Sequence, residues 1–254
     1  MTLEGRTVMV TRPKDQAGEM VRLLEARGAT AVVAPTIELL PADPEELARA
    51  VVGLAEGRFE WLVVTSRAGV EALVAAGLES VRAKVAAVGD GTAAALRDAG
   101  IEADLVPAEF TTESLSEAMP AGTGELLLAR ADIAPGALEE ALAAKGWSPV
   151  RVDAYRTQLA WALPFDANRA LETGKIDAVT FTSASTVRGF VGAAGKIDGP
   201  KVVCIGPVTA EECRRSGIEV DAVADPHTIE GLVAAVERVL APAASTRSNE
   251  EEVP

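Results

Sequence analysis

Several apolar runs in this chain end in short bursts of hydroxyl, glycine and guanidinium residues. Leu62-Val63-Val64 leads into Thr65, Ser66 and Arg67, and the run from Ile176 to Phe181 leads into Thr182, Ser183, Ser185 and Thr186. Gly89 with Thr92 and Gly206 with Thr209 follow two further runs, and Thr111, Thr112 and Thr228 stand beyond the next. Arg12 and Lys14 come after Thr7-Val8-Met9-Val10-Thr11, and Arg130 after Leu126-Leu127-Leu128-Ala129. Acids are almost missing from these places, Asp90 and Asp132 being the exceptions. The chemistry such a set supports is the holding of anions. Helix starts present free amides and a partial positive charge, and glycine lets a ligand approach the backbone. The same hydroxyls are also ordinary helix caps. Any one of them taken alone favours that structural role, whereas the doubled set favours a binding surface.

Two other residues bear on catalysis. Tyr155 is the single tyrosine, and a phenol can donate a proton or hydrogen-bond to a leaving hydroxyl. His227 is the single histidine, which excludes histidine metal clusters and leaves a serine–histidine–aspartate triad only one possible base. Cys204 and Cys213 lack metal-ligand spacing. Gly89-Asp90-Gly91-Thr92-Ala93-Ala94 fits a dinucleotide-binding pattern. Its counterpart, Gly206-Pro207-Val208-Thr209-Ala210-Glu211, keeps only the first glycine, so the pattern is read as a helix start.

The elements that must carry these residues are repeated. Thr65 and Thr182 are 117 positions apart, and so are Gly89 and Gly206, Thr92 and Thr209, Gly100 and Gly217, Thr111 and Thr228, and Leu115 and Leu232. Arg12 and Arg130, like Gly28 and Gly146, are 118 apart. Two kinds of unit therefore alternate. The first kind has a strand at about 7–11, a helix that Asp15 caps and Gly28 ends, and a strand at 31–34; its copy covers 126–152. The second kind has strands at about 61–65, 84–88 and 103–106, with helices at 68–76, 91–99 and 112–118. Its copy has strands at 177–182, 201–205 and 220–223 and a last helix at 228–240. Alternating strands and helices give parallel sheets flanked by helices. The fold class is α/β, with two similar domains of flavodoxin-like or Rossmann-like layers. Ligands of such sheets bind beyond the carboxyl ends of the strands.

Two assemblies satisfy this order. The domains can follow one another, or the middle of the chain can close on itself while both chain ends pair. Thr36-Ile37-Glu38-Leu39-Leu40 and Ala154-Tyr155-Arg156-Thr157-Gln158-Leu159 alternate in polarity and suit a two-stranded ribbon linker. Periodicity does not choose between the assemblies. From Ala241 the sequence is polar, and disorder is expected at 241–254.

Composition narrows the function. The formal net charge is −14, which argues against nucleic-acid partners, since neutralising phosphates needs clustered Lys and Arg. No apolar run approaches the ~20 residues needed to cross a bilayer, and the first residues do not read as a signal peptide. A cytoplasmic protein with reduced thiols is expected, with no membrane association.

The motifs taken together resemble those of the uroporphyrinogen-III synthase family. The resemblance is carried by Val64-Thr65-Ser66, Val88-Gly89 with Thr92, Val152-Asp153-Ala154-Tyr155-Arg156, Phe181-Thr182-Ser183, Ile205-Gly206 with Thr209, and Thr228-Ile229-Glu230-Gly231-Leu232. It spans nearly all of residues 5–240. It implies the second assembly, with 1–35 plus 161–240 as one domain, 43–152 as the other, 36–42 and 153–160 as linkers, and a cleft between the domains. It also implies closure of a linear tetrapyrrole polycarboxylate, hydroxymethylbilane, with inversion of ring D and loss of water, without metal or cofactor, by a monomer. Tyr155 matches the family's linker tyrosine, and Tyr155→Phe is expected to slow turnover more than any other single hydroxyl removal. The rival reading is a cytoplasmic two-domain binder of a small anion, without catalysis.

Overall fold

The computed structural model describes residues 2–241; most of the expected tail, 242–254, lies outside the described residues. In chain order the elements are β1 (Thr7–Val10), α1 (Gly18–Glu25), β2 (Thr30–Val33), β3 (Ile37–Pro41), α2 (Pro44–Glu56), β4 (Trp61–Val64), α3 (Arg67–Ala75), β5 (Lys84–Ala87), α4 (Asp90–Asp98) and α5 (Thr112–Ala118). They continue with β6 (Glu125–Ala131), α6 (Ala137–Ala144), β7 (Ser148–Leu159), α7 (Phe165–Glu172), β8 (Ala178–Phe181), α8 (Ala184–Ala194), β9 (Lys201–Cys204), α9 (Pro207–Arg215), β10 (Ala222–Val223) and α10 (Ile229–Leu240).

The chain divides into two compact units. One comprises the residues up to Ile37 and those from Leu159 onward, and the other is Glu38–Gln158. The first unit holds a sheet of order β10-β9-β8-β1-β2, and the second a sheet of order β3-β7-β6-β4-β5. β1 pairs in parallel with both β2 and β8, so the start of the chain is sealed by its last third. β4 likewise pairs in parallel with β5 and β6.

Alternation along each strand explains how the sheets are covered. Leu62, Val64, Leu127 and Val152 join one apolar cluster of the second unit, while Trp61, Val63, Leu126 and Leu128 join another. In the first unit Val8, Val10, Ala178 and Val203 belong to one cluster and Met9, Val179, Phe181 and Val202 to another. Successive side chains point to opposite faces. Apolar residues at both phases therefore mean a sheet covered by helices on both sides.

Three local expectations are corrected. Asp15 does not cap a helix: it lies in a short 3-10 turn, Lys14–Gln16, and α1 starts at Gly18 with Ala17 ahead of it and no side-chain cap. The run at 103–106 makes no strand, only a bridge from Leu105 to Ala86. There the Asp104 carboxylate accepts from the Val85 N–H at 2.7 Å, which takes a donor a longer ladder would use. Finally, α2 and α7 fill stretches to which the repeat pattern assigns no helix. α2 has a full set of signals: Asp43 accepts from the Glu45 amide at 2.9 Å, Pro44 is the first helical residue, and Gly57 ends the helix at φ 79°.

Candidate functional site

In Glu38–Gln158, chemistry-bearing groups collect where β4 and β6 end, beside the Tyr155 stretch of β7. β4 hands over to α3 through Thr65 and Ser66, both half-buried. Ser66 is the N-cap of α3, extended at φ −163° and ψ 154°, and its Oγ accepts from the Gly69 N–H at 3.1 Å. Tyr155 reaches the same oxygen, its phenol donating to Ser66 Oγ at 3.1 Å. A backbone irregularity makes that contact possible. β6 and β7 run in register to the pair Arg130 and Asp153, and the next pair is Ala131 with Tyr155, so one residue of β7 is skipped. Ala154 and Tyr155 consequently pack against the same apolar cluster, whereas a regular strand would point them apart. A bulge of this kind re-aims a side chain, and here it turns the phenol toward the start of α3.

Burial pushes the Tyr155 phenol above its usual pKa. The hydrogen bond to Ser66 works the other way, the Asp132 carboxylate adds to the rise, and Arg130 opposes it. Asp132 is itself tied to β7: its Oδ1 accepts from the Thr157 N–H at 2.8 Å, and its own N–H donates to the Tyr155 carbonyl at 3.1 Å. The site therefore holds a phenol that stays protonated across the neutral range.

Arg130 is placed differently from the expected anion-binding role. It is 3% exposed, and its Nη1 donates to Glu139 Oε2 at 2.6 Å and to the Pro135 carbonyl at 2.9 Å. Glu139 also pairs with Arg151 at 3.4 Å. Arg151 donates to the carbonyls of Ala131, Asp132 and Ala134. A guanidinium buried at a strand end next to a carboxylate is held by it, so Arg130 braces the loop after β6.

The remaining candidates of this unit divide by exposure. Arg67 is exposed at the first position of α3, and Thr112 is half-buried at the first of α5. Thr111 caps α5 by accepting from the Ser114 N–H at 3.0 Å. Thr92 is buried inside α4. Gly89 precedes α4, and a Cβ there would lie 2.7 Å from Phe110 Cγ. The aromatic ring fills the space in which a pyrophosphate would approach the backbone, against the dinucleotide pattern.

The other unit repeats much of this rim. Ser183 caps α8 in a capping box with Thr186, the Thr186 N–H donating to Ser183 Oγ at 3.2 Å and the Ser183 N–H to Thr186 Oγ1 at 3.2 Å. Ser183 and Ser185 share a hydrogen bond of 2.9 Å. Thr182 is half-buried beside them, while Thr186 and Thr209 are buried. Gly206 precedes α9, and His227 lies over it, its ring 3.7 Å from a Cβ placed there. His227 Nδ1 is 2.7 Å from the Ala224 carbonyl; a carbonyl only accepts, so that nitrogen carries the hydrogen. Thr228 caps α10 through the Gly231 N–H at 3.1 Å. Arg12 is half-buried after β1, and Lys14 is exposed.

Phe110 was not singled out from the sequence. The signal was present, because Phe110 and His227 are themselves 117 positions apart and each covers the corresponding glycine. Tyr155 has no such twin. At the offset of 118 its counterpart is Ile37, so the phenol belongs to one copy only.

Among the described residues no group of histidine, cysteine, aspartate or glutamate could hold a metal ion, and no helix is long and apolar enough to cross a membrane. The family model described as uroporphyrinogen-III synthase HemD matches residues 18–234. A uroporphyrinogen-III synthase of Synechococcus elongatus is 32% identical over 93% of this chain and 96% of its own length. A porphyrin biosynthesis protein HemD of Ruminiclostridium josui is 30% identical over 91% of this chain but only 48% of its own length. Among solved structures, a mutant uroporphyrinogen III synthase of the extremely thermophilic bacterium Thermus thermophilus superposes with TM-score 0.71 at 25% identity, covering 92% of this chain and 98% of that one.

Proposed function

The chain belongs to the uroporphyrinogen-III synthase family, and from that premise we propose that Tyr155 is the acid in a cyclising loss of water from hydroxymethylbilane. The family's activity is that of a cyclising hydro-lyase of tetrapyrrole biosynthesis. Its linear substrate carries a terminal hydroxymethyl group, and loss of that hydroxyl leaves an electrophilic carbon. The substituted carbon of ring D attacks it to give a spiro intermediate, and fragmentation with reclosure leaves ring D inverted.

The observation that carries this reading is the hydrogen-bonded pair of Tyr155 and Ser66 between β7 and the start of α3. It supplies a neutral acid, held against ionisation by burial and by Asp132, where a departing hydroxyl needs a proton. The carboxylates of the substrate are received by helix starts, with Thr65, Arg67, Thr111 and Thr112 in one unit and Arg12, Lys14, Thr182, Ser183, Ser185 and Thr228 in the other. Gly89 and Gly206 lie under Phe110 and His227, and Thr92, Thr186 and Thr209 support the same helices from inside. With a formal net charge of −14, attraction must be local, because the field of the whole protein repels a polyanion. A cytoplasmic monomer working without metal or cofactor belongs to the same reading, and the free thiols of Cys204 and Cys213 agree with a reducing compartment.

An isomer-resolved assay tests it. Incubation with hydroxymethylbilane is expected to yield the type III ring, and Tyr155→Phe to lower kcat by about ten- to a hundredfold. Spontaneous type I product alone would mark the chain as a binder, and unchanged kcat in Tyr155→Phe would remove the acid.

A further inference from the structure

Two hydroxyls meet between β7 and α3, those of Tyr155 and Ser66. A serine hydroxyl has one donor hydrogen and room for two acceptor contacts. Both acceptor positions of Ser66 Oγ are in use, one by the Tyr155 phenol at 3.1 Å and one by the Gly69 N–H at 3.1 Å. Among the described residues Ser66 donates to no acceptor. The hydrogen of Tyr155 is committed to Ser66, whereas that of Ser66 meets no acceptor among the described residues. Ser183, its twin in the other unit, shares its hydrogen bond with Ser185 instead, and the sequence counterpart of the tyrosine in that unit is Ile37.

We propose that Ser66 is the terminal proton donor to the departing hydroxyl, and that Tyr155 acts through it. This rests on the reading of Tyr155 as the acid, and it reverses the expectation that Tyr155→Phe is the most damaging loss of a hydroxyl. The proton balance closes without another reactant. As the bond between the terminal carbon and its oxygen breaks, the electron pair leaves on oxygen, which takes the Ser66 hydrogen and departs as water. The Tyr155 proton moves to Ser66 Oγ. The proton that ring D releases when the macrocycle closes returns to Tyr155. The Gly69 N–H holds Ser66 Oγ in place during the exchange. It also leaves the oxygen only one position from which to accept a proton, the one facing Tyr155.

The order of two losses tests the assignment. Tyr155→Phe leaves the serine hydroxyl in place, whereas Ser66→Gly removes the group that meets the substrate. Glycine is chosen because it starts helices nearly as well as serine, so α3 keeps its beginning. The expected result is that Ser66→Gly lowers kcat at least as far as Tyr155→Phe, about a hundredfold, with KM within about threefold. The double variant is then no slower than Ser66→Gly, because the two groups act in series. Ser66→Thr, which keeps both cap and hydroxyl, restores most of the turnover. If Ser66→Gly lowers the thermal midpoint enough to confuse the comparison, Ser66→Asn gives the same test, since its amide oxygen still caps Gly69 and its amide is no acid. A smaller loss in Ser66→Gly than in Tyr155→Phe, or losses that multiply in the double variant, overturns the relay and leaves Tyr155 as direct donor. Native kcat in Tyr155→Phe would instead sink the reading beneath it.

Discussion

At the scale of single residues, environment decides which of two similar side chains is available. Arg67 comes just after β4 and Arg130 stands near the end of β6 in the same sheet, yet the first is exposed and the second is buried against Glu139 at 2.6 Å. Losing the guanidinium would leave Glu139 with Arg151 alone and the Pro135 carbonyl without its donor, and breaking a buried pair costs up to about 3–5 kcal/mol. Arg130→Met is therefore expected to lower the thermal midpoint sharply, and a midpoint equal to that of the native chain would contradict the bracing role. The Tyr155 phenol makes a prediction in pH. Its folded-state pKa lies above the unfolded value of about 10. Its contribution to stability is thus complete below pH ~10 and is lost as pH rises from there through the folded value. Urea midpoints measured upward from pH 10 should fall less steeply in Tyr155→Phe than in the native chain, and parallel curves would contradict this. Over the neutral range the phenol keeps its proton, so any acid-side or neutral limb in the rate must come from another group.

At the scale of elements, the hydroxyl bursts that looked like binding loops are also the caps that start α3, α5, α8 and α10. Both readings were legible because the same physics serves both: a side chain that accepts from its own helix leaves the neighbouring amides free. The bulge in β7 was not legible, since alternation places Ala154 and Tyr155 on opposite faces and only the paired strand reveals the skipped residue. Nor was the burial of Arg130, because Glu139 lies nine positions on, across a loop whose path no periodicity states. α2 was not expected although Asp43, Pro44 and Gly57 announce it; its counterpart at the offset, α7, has Pro164 ahead of it and no side-chain cap, so the repeat carries no second copy of that signal. Close approach of α8 to the chain ahead of β3 makes a sharper demand. The Thr36 hydroxyl donates to the Thr186 carbonyl at 2.8 Å, and a Cβ at Gly189 would collide with the Thr36 carbonyl. Gly189→Ala is therefore expected to cost about 1–3 kcal/mol through backbone displacement, read as a lower urea midpoint. An unchanged midpoint would mean that α8 can move aside freely.

At the scale of the whole molecule, duplication accounts for contacts that recur without any shared ligand. Asp104 accepts from the Val85 N–H at 2.7 Å, and Asp221, 117 positions later, accepts from the Val202 N–H at 2.8 Å. Thr111 and Thr228 cap their helices at 3.0 and 3.1 Å in the same way. Each copy of the frame thus carries its own sheet, caps and core, but the two are threaded differently. The second unit is one uninterrupted stretch, and its sheet has apolar clusters on both faces. The first depends on the pairing of Val8, Met9 and Val10 with Ala178, Val179 and Thr180, a contact that must wait for the last third of the chain. A fragment spanning 38–158 should accordingly unfold in urea in one cooperative step, with a slope about half that of the full chain, because the slope follows the surface exposed. A fragment spanning 2–158 should show the same single step, with 2–37 removed early by a protease, since β1 and β2 lack β8 there. A gradual transition in the shorter fragment, or lasting protection of 2–37 in the longer one, would mean that the units do not hold their cores independently.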